Sequence, residues 1–179
     1  MRSGEGVFQQ PGPHDWGSSP GSSAPVSPVL ALVGFVGLCL LVGAADAAVG
    51  AGAIRHWYLS LTRPPATPPN WVFGPVWSTL YVMMGIAAWL VWRRRGASPA
   101  LRLWGWQLAV NAAWTPFFFG LHNPALALAD IAVLLGLLVF TIRGFARVQR
   151  TAALLMLPTL IWTGYAAYLN AGFWWLNPF

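Results

Sequence analysis

The run that decides the fold is PVLALVGFVGLCLLVGAADAAVGAG at residues 28–52, in which Asp46 is the one charged residue. An α-helix rises about 1.5 Å per residue, so a helix of this length can cross the roughly 30 Å hydrocarbon layer of a bilayer. A membrane β-barrel would instead need segments of about ten residues with alternating polarity, and this run is apolar throughout. The run therefore predicts a transmembrane helix.

Four further apolar runs follow the first, at residues 72–92, 101–121, 125–142 and 152–173. Each has the length of about 18–25 residues that a membrane-spanning helix needs. The sequence thus predicts an all-α membrane protein, a five-transmembrane-helix bundle over residues 28–179. Residues 1–27 are rich in Gly, Pro and Ser without apolar periodicity, which predicts a disordered N-terminal tail.

Charge supports this reading and gives an orientation. Only 8% of the residues are charged, far below the roughly 25% of a soluble domain. With five spans, most arginines fall on the side of the N-terminus: Arg2, Arg93, Arg94, Arg95, Arg102, Arg143, Arg147 and Arg150. The opposite side has Arg55 and Arg63. The positive-inside rule then predicts a cytoplasmic N-terminus and an outside C-terminus.

The same residue counts argue against several kinds of site. Arginines that cluster at segment ends are a topology signal, so no nucleic-acid partner is expected. One cysteine, Cys39, and three scattered histidines are too few for a closed zinc or iron–sulfur site. We therefore predict no metal and no required cofactor.

Counting along the five helices places their unusual side chains at one depth. Measured from the face that holds the first connection, these residues lie roughly 8–15 Å deep. They are Asp46, Trp77, Asn111, Trp114, Asp130, Trp162 and Tyr165. The first connection, 55–71, contains RPPATPP, which proline should hold in a stiff, extended form. We predict a cavity in the outer half of the bundle with this connection as its lid.

The third apolar run has two distinct faces. One stripe carries Gln107, Asn111, Trp114 and Phe118, and nearly opposite it lie Gly105, Ala109 and Ala113. The small residues suit either a homodimer seam or close packing inside one bundle. The polar and aromatic residues likewise have structural interpretations: tryptophans anchor membrane surfaces, amides join helices, and Asp46 and Asp130 can pair with loop groups such as Arg55 or Arg63.

Five segments carry a family resemblance. They are WYLSLTRP at 57–64, PPNWVFGPVWSTLY at 68–81, QLAVNAAWTPFFFG at 107–120, ALAD at 127–130 and LPTLIWTGYAAYLN at 157–170. In order and spacing they resemble the TspO/MBR family, the tryptophan-rich sensory proteins related to the mitochondrial translocator protein. The resemblance covers residues from about 30 to 177.

The resemblance implies a five-helix bundle, often a homodimer, whose cavity binds protoporphyrin IX, haem, cholesterol-like lipids and synthetic ligands. Trp77 and Trp162 match a tryptophan pair implicated in porphyrin chemistry, and Asn111, Trp114 and Ala166 match cavity-lining positions. Arg63 stands where the family usually has lysine. It suits an anionic propionate at the rim.

Three functions remain open at this point. The favoured hypothesis is a membrane receptor or sensor for a tetrapyrrole or a similar lipid-like small molecule, with no enzymatic role. The alternatives are light- and oxygen-dependent porphyrin breakdown, with Trp77 and Trp162 as redox-active rings, and transport of porphyrins or sterols. The predicted ligand-binding residues are Arg63, Trp77, Gln107, Asn111, Trp114, Phe118, Asp130, Trp162, Tyr165 and Ala166.

Overall fold

The apolar runs fold into long helices in the computed structural model, which describes residues 27–178. In chain order the helices are α1 (Pro28–Arg55), α2 (Trp57–Ser60), α3 (Asn70–Arg95), α4 (Pro99–Thr115), α5 (Pro124–Ala146) and α6 (Arg150–Leu176), and a π-helical segment, Pro116–Gly120, lies between α4 and α5. No strand occurs in the described part of the chain. The all-helical prediction is confirmed, whereas the predicted tail lies outside the described residues except for Ser27.

Four helices, α1, α3, α5 and α6, are long and apolar enough to cross a membrane. The predicted third span, 101–121, is divided between the 17 residues of α4 and the 5 residues of the π segment. The division begins at Pro116, which has no backbone N–H to continue the α-helical ladder. The backbone then closes a wider turn, in which the N–H of Leu121 donates to the Pro116 carbonyl at 2.8 Å. Residues 27–178 therefore form six helices and a π segment where five helices were predicted.

The long helices form a closed ring around a common centre. Helix α1 packs on α3, α3 on α6, α6 on α5 and α5 on α4, and both α4 and the π segment return to α1. One end of the ring is filled by a core of buried residues that includes Met84, Val91, Leu138, Phe145 and Met156. This end also carries the arginines of the α3–α4 and α5–α6 connections, and we call it the arginine end.

The opposite end is covered by the loop between α2 and α3, residues 61–69, which we call the strap. Two tyrosines of α6 hold it from one side. The Tyr165 hydroxyl donates to the carbonyl of Ala66 at 2.6 Å, and the Tyr168 hydroxyl donates to the carbonyl of Pro65 at 3.1 Å. The strap is thus fastened to α6, nearly 100 residues later in the chain.

A second attachment lies at the end of α6. The N–H of Thr62 donates to Asn177 Oδ1 at 2.8 Å, and Asn177 Nδ2 donates to the Thr62 carbonyl at 3.1 Å. Pro64 is buried against Gly172, where an added Cβ would lie 2.5 Å from the Pro64 Cβ. Glycine at position 172 therefore leaves the notch into which the strap packs.

Candidate functional site

A chamber of about 570 Å³ lies in the strap half of the ring. All the long helices, α2 and the π segment contribute to its wall. Small-molecule sites typically measure about 300–1,000 Å³, so this chamber is large enough for a drug-sized or cofactor-sized ligand.

Small side chains on α1 create this space. The α1 face of the chamber includes Gly43, Ala44, Ala47, Gly50 and Ala51. Helical neighbours three and four residues apart share one face, so these residues form a continuous small surface. Because these five positions carry almost no side-chain volume, the ring of helices closes without filling its centre.

Aromatic residues of α3 and α6 face the small surface. Trp77 and Tyr81 are one helical turn apart on α3, and their rings lie 5.6 Å apart. Trp162 on α6 meets Phe73 of α3 edge to face at 6.0 Å. These ring distances are in the range in which aromatic pairs attract one another. Two sides of the chamber are therefore aromatic and mutually supported.

The third aromatic side comes from α4 and the π segment. Trp114 stacks on Phe118 with ring centres 5.1 Å apart and planes 21° from parallel. Its Nε1 donates to Asn170 Oδ1 at 3.0 Å, and Asn170 Nδ2 donates to the Pro124 carbonyl at 2.6 Å. These bonds fix the indole plane against α6 and the start of α5.

A polar group lies on the wall among these rings. The Tyr81 hydroxyl lies 2.8 Å from Asp46 Oδ2 and also 2.8 Å from Asn111 Oδ1. Tyr81 can reach Asp46 because position 43 is glycine, where an added Cβ would lie 2.7 Å from the tyrosine ring. Three helices, α1, α3 and α4, are thereby joined at one polar point on the wall.

Some polar atoms of the wall have no protein partner. Among the residues that the structure describes, Trp162 Nε1, Asn111 Nδ2 and Thr163 Oγ1 are buried without a hydrogen bond, and all three residues line the chamber. Buried polar groups in proteins are nearly always paired. Unpaired donors on a cavity wall are groups that a ligand's acceptor atoms can satisfy.

The structure brings six predicted site residues together on the wall and leaves four off it. The six are Trp77, Asn111, Trp114, Phe118, Trp162 and Ala166. Gln107 is fully buried towards the arginine end, with Nε2 3.7 Å from the sulfur of Met84. Tyr165 donates to the strap as described, and its ring centre lies 5.4 Å from that of Trp162 with the two planes tilted by 56°.

Arg63 and Asp130 also lie off the wall. The Arg63 guanidinium is 5.5 Å from the ring centre of Tyr58, which itself lines the chamber, so Arg63 is at the rim. Burial raises the pKa of the Tyr58 hydroxyl, and the charge of Arg63 opposes that rise in part. Asp130 is half-buried, and its Oδ2 has no hydrogen-bond partner among the described residues.

Sequence reasoning missed several wall residues, namely Tyr81, Phe73, Phe119, Thr163 and Asn170. For Tyr81 a signal was available, since it follows Trp77 by four residues and so shares its helix face. The position of Phe119 carried no such signal, because only the π segment brings it to the wall beside Phe118. No group of three potential metal ligands occurs among residues 27–178.

Comparisons with known proteins show which sequences this chain resembles. The model of the TspO/MBR family matches residues 35–176. Tryptophan-rich protein TspO of Chlorobaculum tepidum is 38% identical over 154 residues, covering 84% of this chain and 98% of that protein. Translocator protein of Bos taurus is 37% identical over 152 residues, covering 82% and 90%. Protein CrtK of Rhodobacter capsulatus is 42% identical over 145 residues, covering 78% and 88%.

Proposed function

The chain belongs to the TspO/MBR family of membrane proteins, and from that membership and its aromatic chamber we propose that it is a receptor or sensor for tetrapyrroles. Protoporphyrin IX and haem, or similarly flat and hydrophobic lipid-like molecules, are the ligands. The observation that carries the proposal is the chamber itself, of about 570 Å³, with aromatic rings from three sides. No further cofactor is needed for binding.

The wall suits a flat ligand for two reasons. Its indole and phenyl faces offer stacking surfaces, each pair worth about 0.5–1.5 kcal/mol beyond the burial of area. The unpaired donors Trp162 Nε1 and Thr163 Oγ1 can meet acceptor atoms within the apolar volume. Arg63 at the rim, close to Tyr58, is placed to meet a propionate that extends towards the strap.

The membrane arrangement is part of the same proposal. Helix α4 and the π segment together form the third span and bring the number of spans to five, because 22 residues, the 17 of α4 and the 5 of the segment, suffice for a helix of mixed winding to cross the bilayer. The arginine end is cytoplasmic by the positive-inside rule, so the strap faces outside.

The test is a titration of the purified protein with protoporphyrin IX in the dark, followed by the porphyrin absorbance. We expect saturable binding that Trp77→Phe and Trp162→Phe each weaken about 2- to 10-fold through the loss of aromatic surface. Trp106→Phe is the matched control, because Trp106 is 67% exposed and lies off the chamber wall. Absence of saturable binding, or equal effects from all three variants, would contradict the proposal.

A second candidate function is breakdown of the bound porphyrin under light and oxygen. It is favoured by the position of Trp77 and Trp162, two oxidisable rings that both line the chamber. Illumination of the complex distinguishes the functions. A stable pigment supports a receptor, whereas loss of pigment that disappears in Trp77→Phe and Trp162→Phe supports an enzyme. A transporter would carry porphyrin into sealed vesicles, and flux measurements test that alternative.

A homodimer is the assembly that we propose for this receptor. Gly105 and Ala109 lie on a face of α4 that points away from the chamber; Ala109 is exposed, and a Cβ at Gly105 would meet nothing within 4 Å. Ala113 continues the same row of small residues, which allows close approach of two membrane helices. Disulfide cross-linking of Ala109→Cys in membranes should give a covalent dimer, and a monomer under these conditions would contradict this seam.

A further inference from the structure

The chamber wall is not electrically neutral. Among the described residues that line it, Asp46 is the one acidic residue, and none is basic. Arg63 is exposed at the rim and faces the ring of Tyr58. The arginines of the α3–α4 and α5–α6 connections lie at the opposite end of the ring. The interior of the chamber therefore offers a site for positive charge and none for negative charge.

The hydrogen bonds at Tyr81 limit Asp46 to two arrangements, one ionised and one protonated. Tyr81 has one hydroxyl hydrogen, yet two acceptor oxygens, Asp46 Oδ2 and Asn111 Oδ1, lie 2.8 Å away. The orientation of an amide is an assignment, and reversing that of Asn111 turns its Nδ2 towards Tyr81. Asn111 then donates to Tyr81, and Tyr81 donates to an ionised Asp46. In the alternative arrangement Tyr81 donates to Asn111 Oδ1 and accepts from Asp46, so Asp46 must carry a proton.

The first arrangement leaves a negative charge that no described cation neutralises. A carboxylate at this depth of the membrane is costly unless it is paired. Neutral hydrogen bonds from the Tyr81 and Thr115 hydroxyls offset only part of that cost. A ligand with a positive charge would remove the rest, since it would bring a counter-ion into a low-dielectric site.

The rings around Asp46 favour the same kind of ligand. Tyr81 lies between Asp46 and Trp77, whose ring centre is 5.6 Å from that of the tyrosine. Indole faces attract cations, and the attraction increases when water is excluded. Most of the remaining wall is apolar or aromatic, and it can cover a flat hydrocarbon body.

We propose that the chamber also binds amphiphilic aromatic cations, with the positive nitrogen beside Asp46 and the flat ring system among the tryptophans. Binding of these cations does not depend on tetrapyrrole binding. They are a different class of ligand, and Asp46 is the residue that selects for their charge.

The experiment compares two tricyclic probes of nearly equal size. At neutral pH 9-aminoacridine is protonated, whereas acridine is neutral. Both are titrated into the purified protein in detergent, with empty micelles as the blank. We expect wild-type protein to bind 9-aminoacridine at least tenfold more tightly than acridine. Asp46→Asn should reduce this ratio to near one while acridine binding is retained.

Asp130→Asn is the matched control, because it removes the same charge from the same half of the protein at a position off the chamber wall. It should leave the ratio unchanged. The proposal is overturned if Asp46→Asn keeps the wild-type ratio or if Asp130→Asn removes it equally. Should Asp46→Asn fail to fold, the wild-type comparison decides, since equal or tighter binding of acridine would show that the wall does not select for positive charge. Protoporphyrin titration of the same samples separates this outcome from a general loss of the chamber.

Discussion

Asn177→Ala should open the strap. The substitution removes two hydrogen bonds between the strap and α6, from the Thr62 N–H at 2.8 Å and to the Thr62 carbonyl at 3.1 Å. Hydrogen bonds contribute about 0.5–1.5 kcal/mol net, and these are exposed, so the pair contributes about 1–2 kcal/mol. Because 1.4 kcal/mol is a factor of ten, the population with a detached strap should rise about 5- to 30-fold. The bonds from Tyr165 and Tyr168 remain, so global stability should change little.

Hydrogen exchange by mass spectrometry measures this effect. The strap prolines have no amide hydrogen, so a peptide that spans the strap and begins several residues before it reports on few strap amides, and Thr62 is one of them. We expect faster exchange in this peptide and unchanged exchange in α3. Asn123→Ala is the control, since Asn123 caps α5 through the Leu126 N–H at 3.0 Å and does not contact the strap. Unchanged exchange in Asn177→Ala would refute the view that this side chain fastens the strap.

Other substitutions test the wall and the core by thermal unfolding in detergent. Gly43→Leu should lower the unfolding free energy by about 1–3 kcal/mol through overpacking, because its Cβ would lie 2.7 Å from the Tyr81 ring; an unchanged midpoint would argue against that contact. Trp114→Phe should cost about 1–3 kcal/mol, because Asn170 Oδ1 loses its donor, and a neutral result would mean that another group satisfies it. Gln107→Met should be neutral or stabilising, since its Oε1 is buried without a partner among the described residues, and a large loss of stability would reveal a missing partner.

Local sequence properties were sufficient to predict much of the fold. Apolar length predicted the spans, because a bilayer sets a minimum length for any helix that crosses it. The depth calculation grouped Trp77, Asn111, Trp114 and Trp162, since helix rise is nearly constant and the connections are short. These residues all line the chamber. In a regular helix, the number of residues from the helix end gives the depth of a side chain in the membrane directly.

The remaining features depend on contacts that local periodicity does not encode. Tyr165 was expected to meet a ligand, but its hydroxyl reaches the carbonyl of Ala66, 99 residues away. The hydrogen bond between Asp46 and Tyr81 is possible because Gly43 has no side chain. The sequence does not reveal this role of Gly43, since it depends on how α1 packs against α3. Pro116 is visible in the third apolar run, but local sequence does not determine how the backbone compensates for its missing N–H.

A wide turn begins at Pro116. Because of it, the number of residues in the π segment, more than their identity, determines which aromatic rings face the chamber. A π segment is an α-helix with one residue added, so it rotates the chain on its C-terminal side by about 100° relative to the helix on its N-terminal side. With this winding, Phe118 and Phe119 both face the chamber. Deleting Phe117, which is not on the chamber wall, would restore regular winding and turn one of the two phenyl rings that follow it towards lipid. A shortened homologue could therefore keep both Phe118 and Phe119 and still have a differently shaped chamber.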